Sequence, residues 1–258
     1  MKSIAILNLK GGVGKTVTAV NVAAILAADY KNRVLLVDCD SQCNASQFYA
    51  ALTDEGTPNL ARWLTAAGRG SYLSYVQETA LPGLSILPAS DRLMDLDVGK
   101  ISSGQVNGTA LRALTQEAAV GDAADFVIFD CPPAFNAASA AALVAADEVI
   151  IPVKLDAFSL AGMGNLMRQV GNMRRINPAL RVAGLLVTMW TRTAESLSAY
   201  DELKNYSGLH VYSTRIRRTN FVDSMTFSRQ QITSFSPHSA AAIDYRRFVR
   251  EYLGTEVE

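Results

Sequence analysis

Leu9-Lys10-Gly11-Gly12-Val13-Gly14-Lys15-Thr16 decides how this chain is read. Before it runs Ser3-Ile4-Ala5-Ile6-Leu7, a short apolar stretch of strand length. After it Val17, Val20, Ala24 and Ala27 recur at helical spacing. The glycines therefore fall where a strand turns into a helix, the setting in which a glycine-rich loop binds phosphate. Without Cβ atoms in the way, successive backbone N–H groups curl round an anion. The helix N-terminus adds unpaired donors and a partial positive charge. On this reading Lys15 reaches the β- and γ-phosphates of a nucleotide, and the Thr16 hydroxyl goes to Mg²⁺.

The ordinary loop, G-x-x-x-x-G-K-[ST], asks for glycine at position 9. Here position 9 is leucine, and a second lysine, Lys10, opens the loop. In this K-G-G-x-G-K-T form the stretch resembles the deviant phosphate loop of the ParA/MinD ATPases. The resemblance makes Lys10, Gly11, Gly12, Val13, Gly14, Lys15, Thr16 and Val17 the ATP-binding residues.

Further along, Arg33-Val34-Leu35-Leu36-Val37-Asp38 is a continuous apolar run, as expected of a strand buried on both faces of a parallel sheet. It ends in Asp38-Cys39-Asp40-Ser41-Gln42-Cys43-Asn44, and carboxylates at such a strand end face the crevice where ligands bind. Helix capping by Asp40 or Ser41 would account for one acid, but less well for the pair. The segment is similar to the family's D-x-D-P-Q-x-N switch, with Ser41 in place of Pro and Cys43 in place of Gly. The resemblance gives Asp40 the task of orienting the attacking water. Asp125-Phe126-Val127-Ile128-Phe129-Asp130-Cys131-Pro132-Pro133 repeats the pattern, an apolar strand closed by an aspartate and stopped by two prolines. It looks like the family's D-x-P-P switch, so the resemblance places Thr16, Asp40 and Asp130 around Mg²⁺.

The segment from Ala45 to about Asn107 is the least informative, holding a short helix at Asn59–Leu64 and a strand, Leu84–Pro88, ended by its proline. A loop is expected at Gly68-Arg69-Gly70-Ser71, and Trp63 reads as packing. Helices are expected at Ala110–Ala119, Leu160–Arg175, Glu195–Tyr206 and Ala240–Tyr252. Strands are expected at Glu148–Val153, Arg181–Met189 and Val211–Thr214. Leu166, Met167, Val170 and Met173 form a core stripe. Strands alternating with helices point to an α/β fold, a mostly parallel twisted sheet with helices on both faces. With no linker or repeat, 1–258 reads as one domain; the resemblance makes it a P-loop NTPase fold.

Composition narrows the rest. Apolar residues make up 49% and charged residues 19%, which excludes a disordered chain. No apolar run reaches membrane-spanning length and no signal peptide is visible, so a cytoplasmic protein is expected. Three cysteines argue against a disulfide framework. Cys39, Cys43 and Cys131 lack a fourth zinc ligand, since His210 and His238 are remote, and read as buried small residues. Net charge is zero, yet from Arg168 to Arg250 there are 13 Lys/Arg against 5 Asp/Glu, with 11 against 19 elsewhere. That half can carry a local basic surface.

Taken together, the resemblance implies a short ParA-type partition ATPase, slow and stimulated by a partner. It would dimerise on ATP, bind double-stranded DNA without sequence preference, and associate with the nucleoid. It would answer to a centromere-binding, ParB-like protein. Lys15 would act within its own subunit and Lys10 across the dimer, both counting as catalytic with Asp40. The first strand starts at Ser3 and leaves no room for an operator-reading helix-turn-helix. The densest basic cluster, Arg215, Arg217 and Arg218, follows the Val211–Thr214 strand, and Arg217 stands where the family has Pro. In relatives that loop is close to the nucleotide base, so part of the cluster would serve ATP. Arg192, Arg246, Arg247 and Arg250 are further candidates for DNA. Two alternatives stay open. One is a membrane-cycling MinD-like protein, disfavoured by the acidic tail Gly254-Thr255-Glu256-Val257-Glu258. The other is a positioning ATPase for another cargo.

Overall fold

The structure is a computed structural model and describes residues 1–54, 56–65, 70–156, 162–205 and 208–255. Its strands are β1 (Lys2–Ile6), β2 (Val34–Asp38), β3 (Gln77–Glu78), β4 (Leu84–Leu87), β5 (Phe126–Asp130), β6 (Glu148–Lys154), β7 (Arg181–Trp190) and β8 (Val211–Arg217). The first helices are α1 (Lys15–Ala28), α2 (Asn44–Phe48), α3 (Leu60–Thr65), α4 (Gly99–Ser102), α5 (Ala110–Val120) and α6 (Ala137–Ala145). They are followed by α7 (Met163–Met173), α8 (Ala194–Asn205), α9 (Asn220–Ser228), α10 (Ile232–Phe235) and α11 (Ala240–Leu253).

The strands form one sheet in the order β3-β4-β2-β5-β1-β6-β7-β8. Every neighbouring pair is parallel except β3 with β4. Side chains alternate between two cores, as period-two strands require. Ala5, Leu35, Val37, Val127 and Phe129 face one side with α3, α5, α6 and α7. Ile4, Ile6, Leu36, Ile128 and Ile150 face the other with α1 and α11. A fully buried Leu or Ile contributes roughly 1.5–3 kcal/mol relative to exposure, so these two cores add a large stabilising term to the hydrogen-bonded ladders of the sheet.

The expected mostly parallel sheet, covered on both faces, is what the chain forms. Trp63 is buried, and so are Leu166 and Val170, with Met167 and Met173 packed against them. Two boundaries move. The first strand begins at Lys2 rather than Ser3, and β8 continues through Arg217, so Arg215 and Arg217 lie in the strand rather than after it. The reason is visible in the packing: Ile216 is buried, and the backbone N–H of Arg217 is taken by Asp244 of α11. The start of the helix expected from Leu160, the Tyr206 end of the helix expected from Glu195, and Gly68 and Arg69 of the loop expected at Gly68–Ser71 lie outside the described residues.

One polar hub joins the first and last elements. Glu148, buried at the start of β6, accepts hydrogen bonds from Arg181 and from the Tyr252 hydroxyl, and lies 3.3 Å from the Lys2 ammonium. Burial pushes its carboxyl up, but these donors outweigh it and hold the group below the usual glutamate range.

Candidate nucleotide-binding site

The sheet order reverses beside β1, which has β5 on one side and β6 on the other. Crevices at such points, outside the carboxyl ends of the strands, are where α/β sheets bind ligands. The Leu9–Thr16 loop leaves β1 there. Gly12 and Gly14 have φ of +67° and +80°, left-handed values that favour glycine. A Cβ built on Gly11 or Gly12 would meet nothing within 4 Å, so the loop is an open cradle. Its hold on the sheet is polar. Asn8 donates to the Pro152 carbonyl at 2.7 Å and accepts from the Lys10 N–H at 2.9 Å, while Thr188 of β7 donates to the Val13 carbonyl at 2.8 Å.

The two lysines point different ways. Lys15, 7% exposed, turns into the cradle and donates to the Lys10 carbonyl at 2.8 Å. Burial lowers its pKa, opposed by the charges of Asp130 and Asp40. Lys10 is paired elsewhere: its ammonium lies 2.5 Å from both oxygens of Asp156, just beyond β6.

Three aspartates meet at the ends of β2 and β5. Asp38 and Asp130 are register partners on adjacent strands. Both oxygens of Asp38 are engaged: one accepts the Asp40 N–H at 3.1 Å, the other the N–H and hydroxyl of Ser46 at 2.8 and 2.7 Å. Its carboxyl is pushed up to about 6, chiefly by burial. Asp40 accepts the Gln42 N–H at 3.0 Å. Asp130 is fully buried, and neither of its oxygens has a hydrogen-bond partner. Burial and then the charge of Asp38 push its carboxyl well above the usual range; Thr16 and Lys15 offset this only in part.

A buried carboxylate with two orphaned oxygens, set beside a threonine hydroxyl at the mouth of an anion cradle, is the donor set a hydrated divalent cation requires. The residues therefore fit Mg²⁺. Thr16 and Asp130 would hold it with Asp40 at the rim, and its charge would lift the penalty Asp130 now carries. Among the described residues no cluster of three or more His, Cys, Asp or Glu is arranged to hold a metal by side chains alone. A site completed by phosphate oxygens and water matches that. The three cysteines are buried and unpaired. Burial raises the thiol of Cys39 and pushes Cys43 up to about 12, so neither is a ready nucleophile.

A cavity of about 190 Å³ opens beside the cradle, starting at Gly14 and Val17 and bounded by Thr188, Met189, Thr219 and Asp223. Arg217 and Arg218 of the expected basic cluster line it. The Arg215 guanidinium lies over the rings of Trp190 and Tyr200, at 4.7 and 4.8 Å. Arg217 pairs with Asp244, and Arg246 with Asp29. Arg192 and Arg247 are exposed and Arg250 is half-buried. Arg215, Arg217 and Arg247 also border an open groove of about 340 Å³. Sequence reasoning missed Asp38 as the anchor of the Asp40 turn, Asp156 as the partner of Lys10, and Asp223 at the cavity. Only Asp38 had a signal, its place at the strand end.

A family model described as an AAA domain matches residues 1–182. The chromosome partitioning protein ParA of Caulobacter vibrioides is 31% identical over 264 residues, covering 99% of this chain and 95% of that protein. The chromosome-partitioning ATPase Soj of Thermus thermophilus is 34% identical over 256 residues, covering 98% and 96%. Among solved structures, one described as cobyrinic acid a,c-diamide synthase from Mycobacterium smegmatis, with bound ADP and magnesium, superimposes with a TM-score of 0.80. It is 26% identical and covers 99% of this chain and 97% of its own.

Proposed function

The chain belongs to the ParA/MinD family of P-loop ATPases, and we propose that it is a DNA-partition ATPase. It binds ATP with Mg²⁺, dimerises through the nucleotide face, and holds DNA without sequence preference until a ParB-like partner triggers hydrolysis. The observation that carries this reading is the divergence of the two loop lysines. Lys15 is turned into the cradle, where it meets the phosphates of its own nucleotide. Lys10 instead pairs with Asp156 in a part-exposed, exchangeable ion pair, which leaves it available to a nucleotide held by a second subunit. A cation supplied from across an interface is worth on the order of 10³–10⁵ in rate for phosphoryl transfer.

Each remaining group has a task. The cradle and Lys15 bind and orient the triphosphate. Mg²⁺ supplies charge neutralisation at the phosphates, with Thr16, Asp40 and Asp130 around it. Asp40, on a turn pinned by Asp38, orients the attacking water. DNA binding is assigned to the basic half. Arg192, Arg218, Arg247 and Arg250 are the more available contacts; Arg215, Arg217 and Arg246, already engaged within the fold, shape the surface. Two such surfaces side by side in a dimer would bind one duplex with added effective concentration.

The rival membrane-cycling reading needs an apolar helix face free to enter a lipid surface. Among the described residues α11 does not offer one through Tyr245, Phe248 and Val249, which are buried in the core. A positioning ATPase for a protein cargo would share the same site, with the partner choosing the cargo. Gel shifts with unrelated duplexes, in ATP and in ADP, test the proposal. Binding is expected only with ATP, for every sequence, and falling with salt by about 0.9 log units per log unit for each phosphate neutralised. Binding to one sequence alone, or equally well with ADP, would overturn it.

A further inference from the structure

The cavity beside the cradle draws its lining from α1, β6, β7, β8, α9 and α11. Its far wall is the passage from β8 into α9, and that wall is anchored by Arg217, the last residue of β8. The Nε and Nη2 of Arg217 donate to the two oxygens of Asp244 on α11, both at 2.7 Å, and its backbone N–H donates to the same carboxylate at 3.0 Å. Nη2 also reaches the Ala240 carbonyl at 3.3 Å. Asp244 is nearly fully buried, so one residue supplies the donors its carboxylate requires. The next residue, Arg218, donates its N–H to the Trp190 carbonyl at 3.0 Å. From there the chain enters α9, capped by Thr219, with Val222 and Asp223 at the cavity.

The near wall hangs on the adjacent residue of the same helix. Tyr245 lines the cavity, and its hydroxyl meets the hydroxyl of Thr18 at 3.3 Å, one turn into α1 from Lys15. Two consecutive residues of α11 thus bond to opposite walls of the cavity. The cradle has separate anchors, Asn8 on Pro152 and Thr188 on Val13, neither of which involves α11.

We propose that Arg217, locked onto Asp244, is a positioning residue for the nucleotide base: it fixes the wall against which the base rests and leaves the phosphate cradle unaffected. The assignment rests on the reading of the site as an ATP site. It predicts that base affinity and phosphate affinity separate. Calorimetry in Mg²⁺ compares ATP with inorganic tripolyphosphate, which fills the cradle but not the cavity. Arg217→Ala and Asp244→Asn should each weaken ATP roughly tenfold, the cost of re-ordering one released wall segment on binding, and leave tripolyphosphate unchanged. Arg217→Lys keeps a cation against the buried carboxylate but cannot span both oxygens. It should restore part of the ATP affinity, and it carries the test if Arg217→Ala does not fold. Equal weakening of both ligands would make the pair merely structural and overturn the proposal, as would unchanged ATP affinity. A wild-type chain that binds tripolyphosphate as tightly as ATP would overturn it too, since the cavity would then take no base. Binding of neither ligand by the wild type would remove the ATP reading itself, and the proposal with it.

Discussion

The Lys10 ammonium sits on both carboxylate oxygens of Asp156, 146 residues further along the chain, at 2.5 Å each. Both side chains are about a third exposed, and an ion pair of that kind is worth only about 1 kcal/mol or less. A γ-phosphate presented by a second subunit can therefore draw Lys10 away. Lys10→Ala should bind ATP as a monomer with little change and lose ATP-dependent dimerisation and hydrolysis. Asp156→Asn should dimerise at lower protein concentration than the wild type. Light scattering with ATP reads both, and an unchanged dimer in Lys10→Ala would refute the role.

Lys15 has the opposite profile. Its ammonium is buried and meets a single carbonyl. Lys15→Met should abolish ATP binding in titrations with labelled nucleotide. It should not lower the melting temperature of the nucleotide-free chain, because it removes a buried cation. A large loss of stability would show that the lysine is there for the fold.

Asp40 sits on a turn anchored by Asp38, whose carboxylate accepts the Asp40 and Ser46 N–H groups, so removing the Asp40 carboxylate costs the turn one bond, that from the Gln42 N–H, and keeps the anchor. Asp40→Ala should bind ATP, accumulate as the dimer on size-exclusion chromatography and fail to hydrolyse. Phosphate release at the wild-type rate would take Asp40 out of the mechanism.

Glu148 gives a stability prediction with a sign. Its folded pKa lies below the unfolded one, so its contribution is fully present above the ordinary glutamate value and is lost as pH falls through the depressed one. Glu148→Gln should cost about 1–3 kcal/mol at neutral pH. The partners it leaves, Arg181 and Lys2, are exposed enough to be resolvated, which keeps the loss below that of a wholly buried pair. Urea titrations should show the gap between wild type and variant closing as the medium is made acid. A gap that stays constant would mean the carboxylate charge contributes nothing.

The elements that sequence reveals here are those whose burial is uniform along the strand. Val34–Asp38 and Phe126–Asp130 are apolar runs ended by an acid, and both lie in the middle of the sheet. The same uniformity hid α6: its residues are small and buried on every side, so no polar face marks it as a helix. β3 is two residues long and partly exposed, too short for any periodicity. β8 outruns the strand expected at Val211–Thr214, and Arg215 and Arg217, which the family resemblance places after the strand, lie within it. The strand tolerates them because one guanidinium rests on two rings and the other on a buried carboxylate. The cradle was legible because its glycines are needed by the backbone itself. The pairing of Lys10 with Asp156 was not, since no local pattern links residues so far apart.

The register of β2 against β5 carries a consequence for chain length. Asp38 faces Asp130 only because each strand has the right number of residues before its acid. Successive side chains alternate faces, so one residue added within Val34–Val37 would turn Asp38 away from Asp130 and shift the start of the Asp40 turn. Substitutions within that run trade one apolar contact for another and cost stability by degrees. Insertions and deletions there should instead silence the enzyme while leaving a folded sheet, which makes strand length, more than strand composition, the quantity this site cannot vary.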